Sequence, residues 1–160
     1  MKVRKAREQE LDAVLAIYEK ARRFMRATGN PTQWGESYPP SDTVKEDISN
    51  GNLYVIDDDG VLCGVFAFFP SGDKLYDKID GSWLNELPHA AIHRVASAGI
   101  RKGILAVCVN FCLEISNNLK IDTHADNAVM QKQLKKVGFT ECGTVYLENG
   151  EPRIAFQLCR

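Results

Sequence analysis

The sequence predicts a single α/β domain in which a mixed sheet is flanked by helices. Three observations support this fold class. Apolar residues near the N-terminus recur at the helical period, a strand in the middle of the chain turns through glycines into a helix, and two alternating segments surround Asn149-Gly150. A chain of 160 residues, 44% hydrophobic and 26% charged, has the size and composition of one folded domain. We therefore expect one domain over residues 1–160.

The first half of the chain predicts a strand, two helices and a hairpin. A short strand begins at Val3, and a long helix follows from Glu8, because apolar residues recur every three or four positions as far as Met25. The segment 28–31 ends that helix. A second helix is expected from Ser41 or Asp42, with either residue as its cap, to positions 50–51. Strands at 53–56 and 61–69 then form a hairpin around the turn at 57–60.

The second half predicts alternating strands and helices and a closing hairpin. Residues 71–88 are polar and irregular and form either an exposed loop or a lid containing a short strand. A strand at 90–97, a glycine loop, and a helix from Ile104 to Ile115 follow, and the strand at 120–123 can pair with the first in parallel. Another helix ends at Gly138. Asn149-Gly150 predicts a tight turn between the last two strands.

Charge and composition exclude several classes of function. The formal net charge is -1 and no block of like charge occurs, so a nucleic-acid partner is not expected. No apolar run approaches the roughly 20 residues that span a bilayer, so we expect no membrane association and no secretory signal. Five cysteines in no metal-ligand spacing are typical of reduced thiols. These features predict a cytoplasmic protein.

The loop that follows the strand at 90–97 has the chemistry of a phosphate site. A strand that turns through Gly99 and Gly103 into a helix N-terminus offers free backbone N–H groups and the positive end of a helix dipole. Arg101 and Lys102 add positive charge at the same place, which favours a pyrophosphate. Taken alone, such a loop is also the ordinary connection between a strand and a helix in α/β proteins.

Two segments in the right order resemble the GCN5-related N-acetyltransferase (GNAT) family. The loop from Val95 to Ile104 is similar to its acetyl-CoA loop, whose usual form is Gln or Arg, two residues, Gly, any residue, then Gly or Ala. Residues 126–139 are similar to the family's helix that opens with Asn, here Asn127, and ends in Lys-x-Gly-Phe. The second match is the more specific. The resemblance covers most of the chain and implies a central mixed, mostly antiparallel sheet flanked by helices.

The chain departs from the family pattern at two positions. Arg101 occupies the place of the first loop glycine, which predicts different phosphate contacts. Leu134 stands five residues before Phe139, where many members carry a tyrosine that can protonate the leaving thiolate. Another group or solvent would have to supply that proton.

The resemblance implies an acetyl-CoA-dependent N-acetyltransferase in which an amine attacks the thioester directly. Coenzyme A would lie along the splayed end of the strand at 93–97 and the loop after it. The implied cofactor-binding residues are Val95, Ala96, Ser97, Gly99, Arg101, Lys102, Gly103, Ile104, Asn127 and Met130. Two alternatives stay open: a non-catalytic acyl-CoA-binding module of the same fold, and an unrelated α/β domain that binds another phosphate ligand.

His93 is the candidate catalytic residue. Its ordinary pKa suits a general base near neutrality, and it precedes the strand segment that would orient the thioester. A packed strand histidine is the structural alternative. Glu36, Asp80, Glu86 and Tyr146 are further candidates. The segment 122–127 superficially resembles the start of a calcium loop, but it lacks the required Gly and Glu, so we expect no metal.

Aromatic residues mark the predicted acceptor side. Trp34, Tyr38, Tyr76 and Trp83 are the candidate substrate-binding residues, since small-ligand pockets use aromatic walls with a few polar groups. They equally suit core or lid packing. We expect the acceptor to be a small-molecule or peptide amine, and the sequence leaves a homodimer open.

Overall fold

Eight strands form one sheet in the order β1-β2-β3-β5-β6-β8-β7-β4 in the computed structural model, which describes residues 1–160. The strands are β1 (Lys2–Lys5), β2 (Leu53–Asp58), β3 (Val61–Phe69), β4 (Asp80–Gly81), β5 (Ala90–Ser97), β6 (Asn118–Thr123), β7 (Thr140–Tyr146) and β8 (Pro152–Cys159). Only β5 and β6 pair in parallel, and every other neighbouring pair is antiparallel. The predicted mixed, mostly antiparallel sheet is confirmed.

Four α-helices cover the two faces of this sheet. They are α1 (Leu11–Ala27), α2 (Ser41–Ser49), α3 (Ile104–Ile115) and α4 (Ala128–Lys136). Helices α3 and α4 bury Cys108 and Leu134 in one apolar cluster with strand residues such as Phe66 and Phe156. Helices α1 and α2 bury Tyr18 and other residues in a second cluster on β2 and β3. No helix is both long and apolar enough to cross a membrane.

The cap predicted for the second helix is wrong in detail. Pro40, in an extended conformation, is the N-cap of α2, and no side chain caps this end. Ser41 is therefore already the first helical residue. The Pro40 carbonyl oxygen accepts from the Val44 N–H at 3.2 Å and so begins the helix, whereas Ser41 and Asp42 lie inside the helix and not at the N-cap position that a capping side chain needs.

The segment 71–88 is a cover over one end of the sheet and contains the short strand that was one of its two predicted forms. A 3-10 turn at Lys74–Asp77 leads into β4, which pairs with β7. Tyr76 is 1% exposed and packs with Ala91, Val145 and Ala155 in a third apolar cluster. The cover therefore seals β6, β8 and β7 on the side of the sheet where α1 and α2 cover the other strands.

Candidate active site

The sheet opens between β5 and β6, and this opening forms the centre of the site. The two strands pair only at Ala90 with Leu119 and at Ala91 with Lys120. Beyond Ala91, the backbone edge of β5 that faces β6 makes no ladder with it. Backbone N–H and C=O groups are strong hydrogen-bonding groups, so this edge is suited to bind an extended ligand.

A β-bulge in β5 shapes the same region. Val65 of β3 pairs with Ala96, while Ala67 pairs with His93, so Arg94 and Val95 together face one residue of β3. Arg94 has a φ of 52°, which is unusual for a residue with a side chain. Such bulges re-aim side chains near functional sites. Here the bulge separates His93, on one side of it, from the 96–97 segment on the other.

Hydrogen bonds to the guanidinium and to the carbonyl oxygen of Arg94 hold its strained backbone in place. Arg94 Nε and Nη2 donate to the two carboxylate oxygens of Asp47 at 2.8 and 2.9 Å. The buried Tyr18 hydroxyl donates to the Arg94 carbonyl oxygen at 3.0 Å. These contacts from α1 and α2 fix the bulge, because a bidentate Arg–carboxylate pair has a well-defined geometry.

A groove of about 570 Å³ runs from β5 past the N-terminal end of α3 and along α4 as far as Val137. It is lined by all ten predicted cofactor-binding residues, namely Val95, Ala96, Ser97, Gly99, Arg101, Lys102, Gly103, Ile104, Asn127 and Met130. The prediction thus placed these residues on one surface. Residues of α1 that the sequence did not single out, including Lys20 and Phe24, form the facing wall.

The N-terminus of α3 is open toward this groove. Gly103 is its N-cap, with a φ of 79°, and no side chain caps the helix. A Cβ on Gly103 would meet nothing within 4 Å, so the space in front of these amides is free. Arg101 also lines the groove, while its Nε is paired with Asp58 at 2.8 Å. The free amides, Lys102 and the rest of the Arg101 guanidinium are the groups of this loop that could bind an anion.

Asn127 lies at the junction of the groove with a second cavity. Its Oδ1 accepts from the Met130 backbone N–H at 3.0 Å, which confirms the predicted cap of α4. Its Nδ2 donates to Gln33 Oε1 at 3.0 Å and so ties the start of α4 to the loop between α1 and α2. Met25, Val95, Asn127 and Met130 line both cavities.

The second cavity, of about 540 Å³, contains His93 and an ionised partner that the sequence did not reveal. His93 Nε2 lies 2.8 Å from Asp73 Oδ2, and Asp73 also accepts from the Leu75 backbone N–H. A carboxylate can only accept, so Nε2 carries the proton and Nδ1 holds the lone pair of the neutral ring. The hydrogen bond from His93 lowers the pKa of Asp73 to about 2.

Two neighbouring groups complete the surroundings of His93. The ring of Tyr76 stacks on the imidazole with 5.8 Å between ring centroids. The Tyr76 hydroxyl donates to Asp122 Oδ2 at 2.7 Å, and burial raises the pKa of Tyr76 well above its usual value, so it stays a donor. Tyr76 therefore contacts both His93 and Asp122 without lining the cavity itself.

The predicted acceptor residues divide into two groups. Trp34 and Tyr38 line the cavity with His93. Tyr76 and Trp83 do not line it; they belong to the cluster beneath the cover, where Trp83 donates to the Tyr76 carbonyl oxygen at 3.0 Å. None of the further base candidates Glu36, Asp80, Glu86 and Tyr146 lines this cavity either. Its carboxylates are Asp73, Asp122 and Glu151, and sequence reasoning named none of them as a candidate base.

Two other predictions concern Leu134 and the 122–127 segment. Leu134 is fully buried in the core, so position 134 offers no proton donor to the groove. The 122–127 segment ends β6 and turns into α4, with His124 Nδ1 accepting from the Asp126 backbone N–H at 2.9 Å. This is the turn and cap expected from the sequence. No group of three or more His, Cys, Asp or Glu side chains is placed to hold a metal ion.

Several solved structures similar to this chain are named as acetyltransferases. A GNAT-family acetyltransferase from Streptococcus agalactiae is 29% identical and has a TM-score of 0.87, over 99% of this chain and 95% of the other. A ribosomal-protein-alanine N-acetyltransferase from Brucella melitensis is 20% identical, with a TM-score of 0.64 over 100% of both chains. The yncA protein of Salmonella typhimurium, solved with its cofactor acetyl-CoA, is 14% identical, with a TM-score of 0.62 over 99% of this chain and 92% of the other.

The last two similarities establish the fold alone, whereas the first adds sequence identity over nearly the whole length. Comparisons with protein-family models and with curated proteins gave no match. Acetyltransferase activity is supported only at the level of the family, by the first of these similarities. The sheet order and these similarities show that the chain has the fold of acetyltransferases of the GCN5-related N-acetyltransferase family.

Proposed function

We propose that this chain is an acetyl-CoA-dependent N-acetyltransferase, a single domain over residues 1–160, in which an amine attacks the thioester directly. The observation that carries the proposal is the meeting of two cavities at Val95 and Met130. One has an open helix N-terminus, and the other has a histidine held by a carboxylate. Joined cavities of this kind suit a reaction between a long phosphate-bearing donor and a small acceptor.

The groove has the groups that coenzyme A requires. The free amides at the start of α3, together with Lys102, would hold the pyrophosphate. The unpaired edge of β5 would hydrogen-bond the pantetheine arm, as in strand addition to a sheet. Acetyl-CoA would supply the activated acetyl thioester. The open space at Gly103 supports this fit, because a side chain there would occupy the path to the amides.

His93 is the proposed general base. Nδ1 holds the lone pair of the neutral ring and makes no hydrogen bond within the chain, whereas Nε2–H is held by Asp73. A proton from the amine, taken directly or through water, would make an imidazolium facing an ionised Asp73. The low pKa of Asp73 keeps that carboxylate charged at every pH near neutrality. His93 and Asp73 thus form a base and the group that orients it.

At position 134 this chain has no side chain that could protonate the leaving thiolate. Leu134 is fully buried, so the proton for the leaving sulfur must come from solvent or another group. The buried Leu134 is also compatible with one alternative, a non-catalytic acyl-CoA-binding module of the same fold. Such a module needs the groove but not the His93–Asp73 pair.

Thiol release from acetyl-CoA, measured with a panel of primary amines, tests the proposed function. We expect amine-dependent release with an equal amount of acetylated amine. Calorimetry on the same protein gives the affinity for coenzyme A. Tight binding without thiol release for any amine would favour the binding module, and no binding at all would contradict the cofactor. The cytoplasmic location, a homodimer and the lack of a nucleic-acid partner stay predictions.

A further inference from the structure

The second cavity, which contains His93 and would hold the acceptor, is lined by two guanidinium groups that differ in their partners. Arg94 forms a bidentate pair with Asp47, whose side chain is only 8% exposed, and its Nη1 donates to the Tyr38 hydroxyl at 3.3 Å. Arg153, on β8, has a side chain that is 5% exposed, yet its carboxylate partner is Glu151, which is 54% exposed. The Glu151–Arg153 distance is 3.2 Å. A buried cation is thus paired with a group that lies mostly in solvent.

Most of the donor capacity of Arg153 is unused within the chain. Its Nη1 donates to the Pro152 carbonyl oxygen at 2.9 Å and its Nη2 to Glu151 Oε2 at 3.2 Å. A guanidinium has five N–H donors arranged to bind a carboxylate with two parallel hydrogen bonds. Burying a charge without full pairing is costly, so such a group favours an anionic ligand.

The strand register places Arg153 on the face of the sheet that lines the cavity containing His93. Asp122 of β6 pairs with Ala155 of β8, and Arg153 lies two residues from Ala155. Side chains two residues apart on a strand share a face, so Arg153 and Asp122 project from the same side. His93 reaches the same cavity from β5. Because β5 and β8 are two strand spacings apart and β5 separates from β6 at this point, their side chains originate at least about 10 Å from each other.

We propose that the acceptor carries a carboxylate, bound by Arg153, several bonds away from the amine that His93 deprotonates. The inference rests on the proposed function. A carboxylate suits this cavity better than a phosphate, since three carboxylates but only two guanidinium groups line it, and one of those is occupied by Asp47. A phosphate dianion would be repelled by the net negative charge of the side chains that line the cavity. In the free protein Glu151 would then be the partner of Arg153, and the acceptor carboxylate would displace it.

Chain-matched pairs of amines test this selectivity. The rate constant kcat/KM is measured for 4-aminobutyrate and 6-aminohexanoate against 4-aminobutanamide and 6-aminohexanamide. We expect at least one acid to be preferred over its amide by about tenfold or more, the strength of charge-assisted hydrogen bonds. Equal use of acids and amides would overturn the proposal.

Variants separate a binding role of Arg153 from a structural one. Arg153→Gln should bring the acid-to-amide ratio close to one, and Arg153→Lys should restore it in part. Glu151→Gln should leave the preference for the acid in place or increase it, because it frees Arg153. A Glu151→Gln variant that loses the preference would assign the recognition to Glu151 instead and overturn the proposal. Arg23→Gln, which removes an arginine with a 66% exposed side chain from α1, is the matched control.

A binding measurement distinguishes failure of this inference from failure of the proposed function. Calorimetry with coenzyme A-saturated protein and the same four compounds needs no turnover. Tighter binding of an acid than of its amide, lost in Arg153→Gln, supports the carboxylate site even if no acetyl transfer is seen. Identical binding of acids and amides, or the same ratio in Arg153→Gln, would contradict it whether or not the protein is an enzyme.

Discussion

His93 and Asp73 form a hydrogen-bonded pair across 20 residues of sequence, with Nε2 and Oδ2 2.8 Å apart. Two further hydrogen bonds position Asp73: its Oδ1 accepts from the Leu75 N–H at 2.8 Å, and its own N–H donates to His89 Nε2 at 3.3 Å. The pair therefore joins the cover segment to β5. It fixes the ring of the proposed base and leaves Nδ1 free.

The pair should make stability depend on pH in acid. The folded-state pKa of Asp73 is about 2, below its ordinary value of 3.8, because His93 donates to the carboxylate. A depressed pKa contributes stability that is complete above the ordinary value and lost as pH falls from about 4 to about 2. The difference in unfolding free energy between the wild type and Asp73→Asn should therefore shrink across this range.

Urea denaturation at a series of pH values measures that difference. The effect will be modest, since the Asp73 side chain is 37% exposed and solvent screens the interaction. Glu36→Gln, which removes an exposed carboxylate outside the site, controls for the lost charge. A difference that stays constant from pH 5 to pH 2 would contradict the pairing.

Asn127 should contribute to stability and to the site through different atoms. Asn127→Ala removes the cap of the Met130 N–H and should lower the unfolding free energy by about 1 kcal/mol. Asn127→Asp keeps the accepting oxygen but not the Nδ2 donor to Gln33. If the link to Gln33 shapes the groove, both variants weaken coenzyme A binding and only Asn127→Ala loses the cap. Unchanged affinity in both variants would make Asn127 purely structural.

Gly81 and Gly143 allow the cover to approach the sheet closely. A Cβ on Gly81 would overlap the Cys142 carbonyl oxygen, and one on Gly143 would overlap the Asp80 carbonyl oxygen. Their φ values, 136° and 148°, also disfavour any side chain. Gly81→Ala should therefore destabilise the protein by at least about 1 to 3 kcal/mol, measured by urea denaturation.

Gly150→Ala is the matched control for this substitution. Gly150 has a φ of 84°, but a Cβ there meets nothing within 4 Å, so the variant reports backbone strain without a steric clash. A Gly81→Ala protein no less stable than Gly150→Ala would show that the cover can move away from β7 at no cost.

The elements specified by local chemistry were predictable from the sequence. Asn149-Gly150 indicated the turn between β7 and β8, and Asn127 indicated the start of α4. The strand, glycine loop and helix order, together with the start of α4, indicated the ten predicted cofactor-binding residues, which line one groove in the structure. Each of these signals depends on residues within a few positions of one another, where turn and cap preferences act directly.

The acceptor side depended on contacts between distant segments, which local patterns do not carry. Asp73 lies in a stretch without periodicity, and only its place before the 3-10 turn at Lys74–Asp77 marks it. Arg153 reads as an ordinary strand residue until the register shows which face it shares with Asp122. Tyr76 and Trp83 are aromatic residues that suit a pocket or a core equally, and the cover segment assigns them to a core.

Gly103 tests the location of the cofactor groove. Gly103→Val places a side chain in front of the α3 amides and strains a backbone with a φ of 79°, so coenzyme A should bind at least about tenfold more weakly. Gly29→Val is the control, since Gly29 has a similar φ of 87° and open space but does not line the groove. Unchanged calorimetric affinity in folded Gly103→Val would remove the loop from the site.

The pH dependence of acetyl transfer by His93→Ala most directly tests the claim that His93 takes the proton of the attacking amine. A general base contributes about 10²- to 10⁴-fold in rate, so turnover at neutral pH should fall by that order while coenzyme A affinity changes little. The loss should shrink at high pH, where free amine is abundant. Full activity of His93→Ala at every pH, with an acceptor that the wild type uses, would contradict the claim.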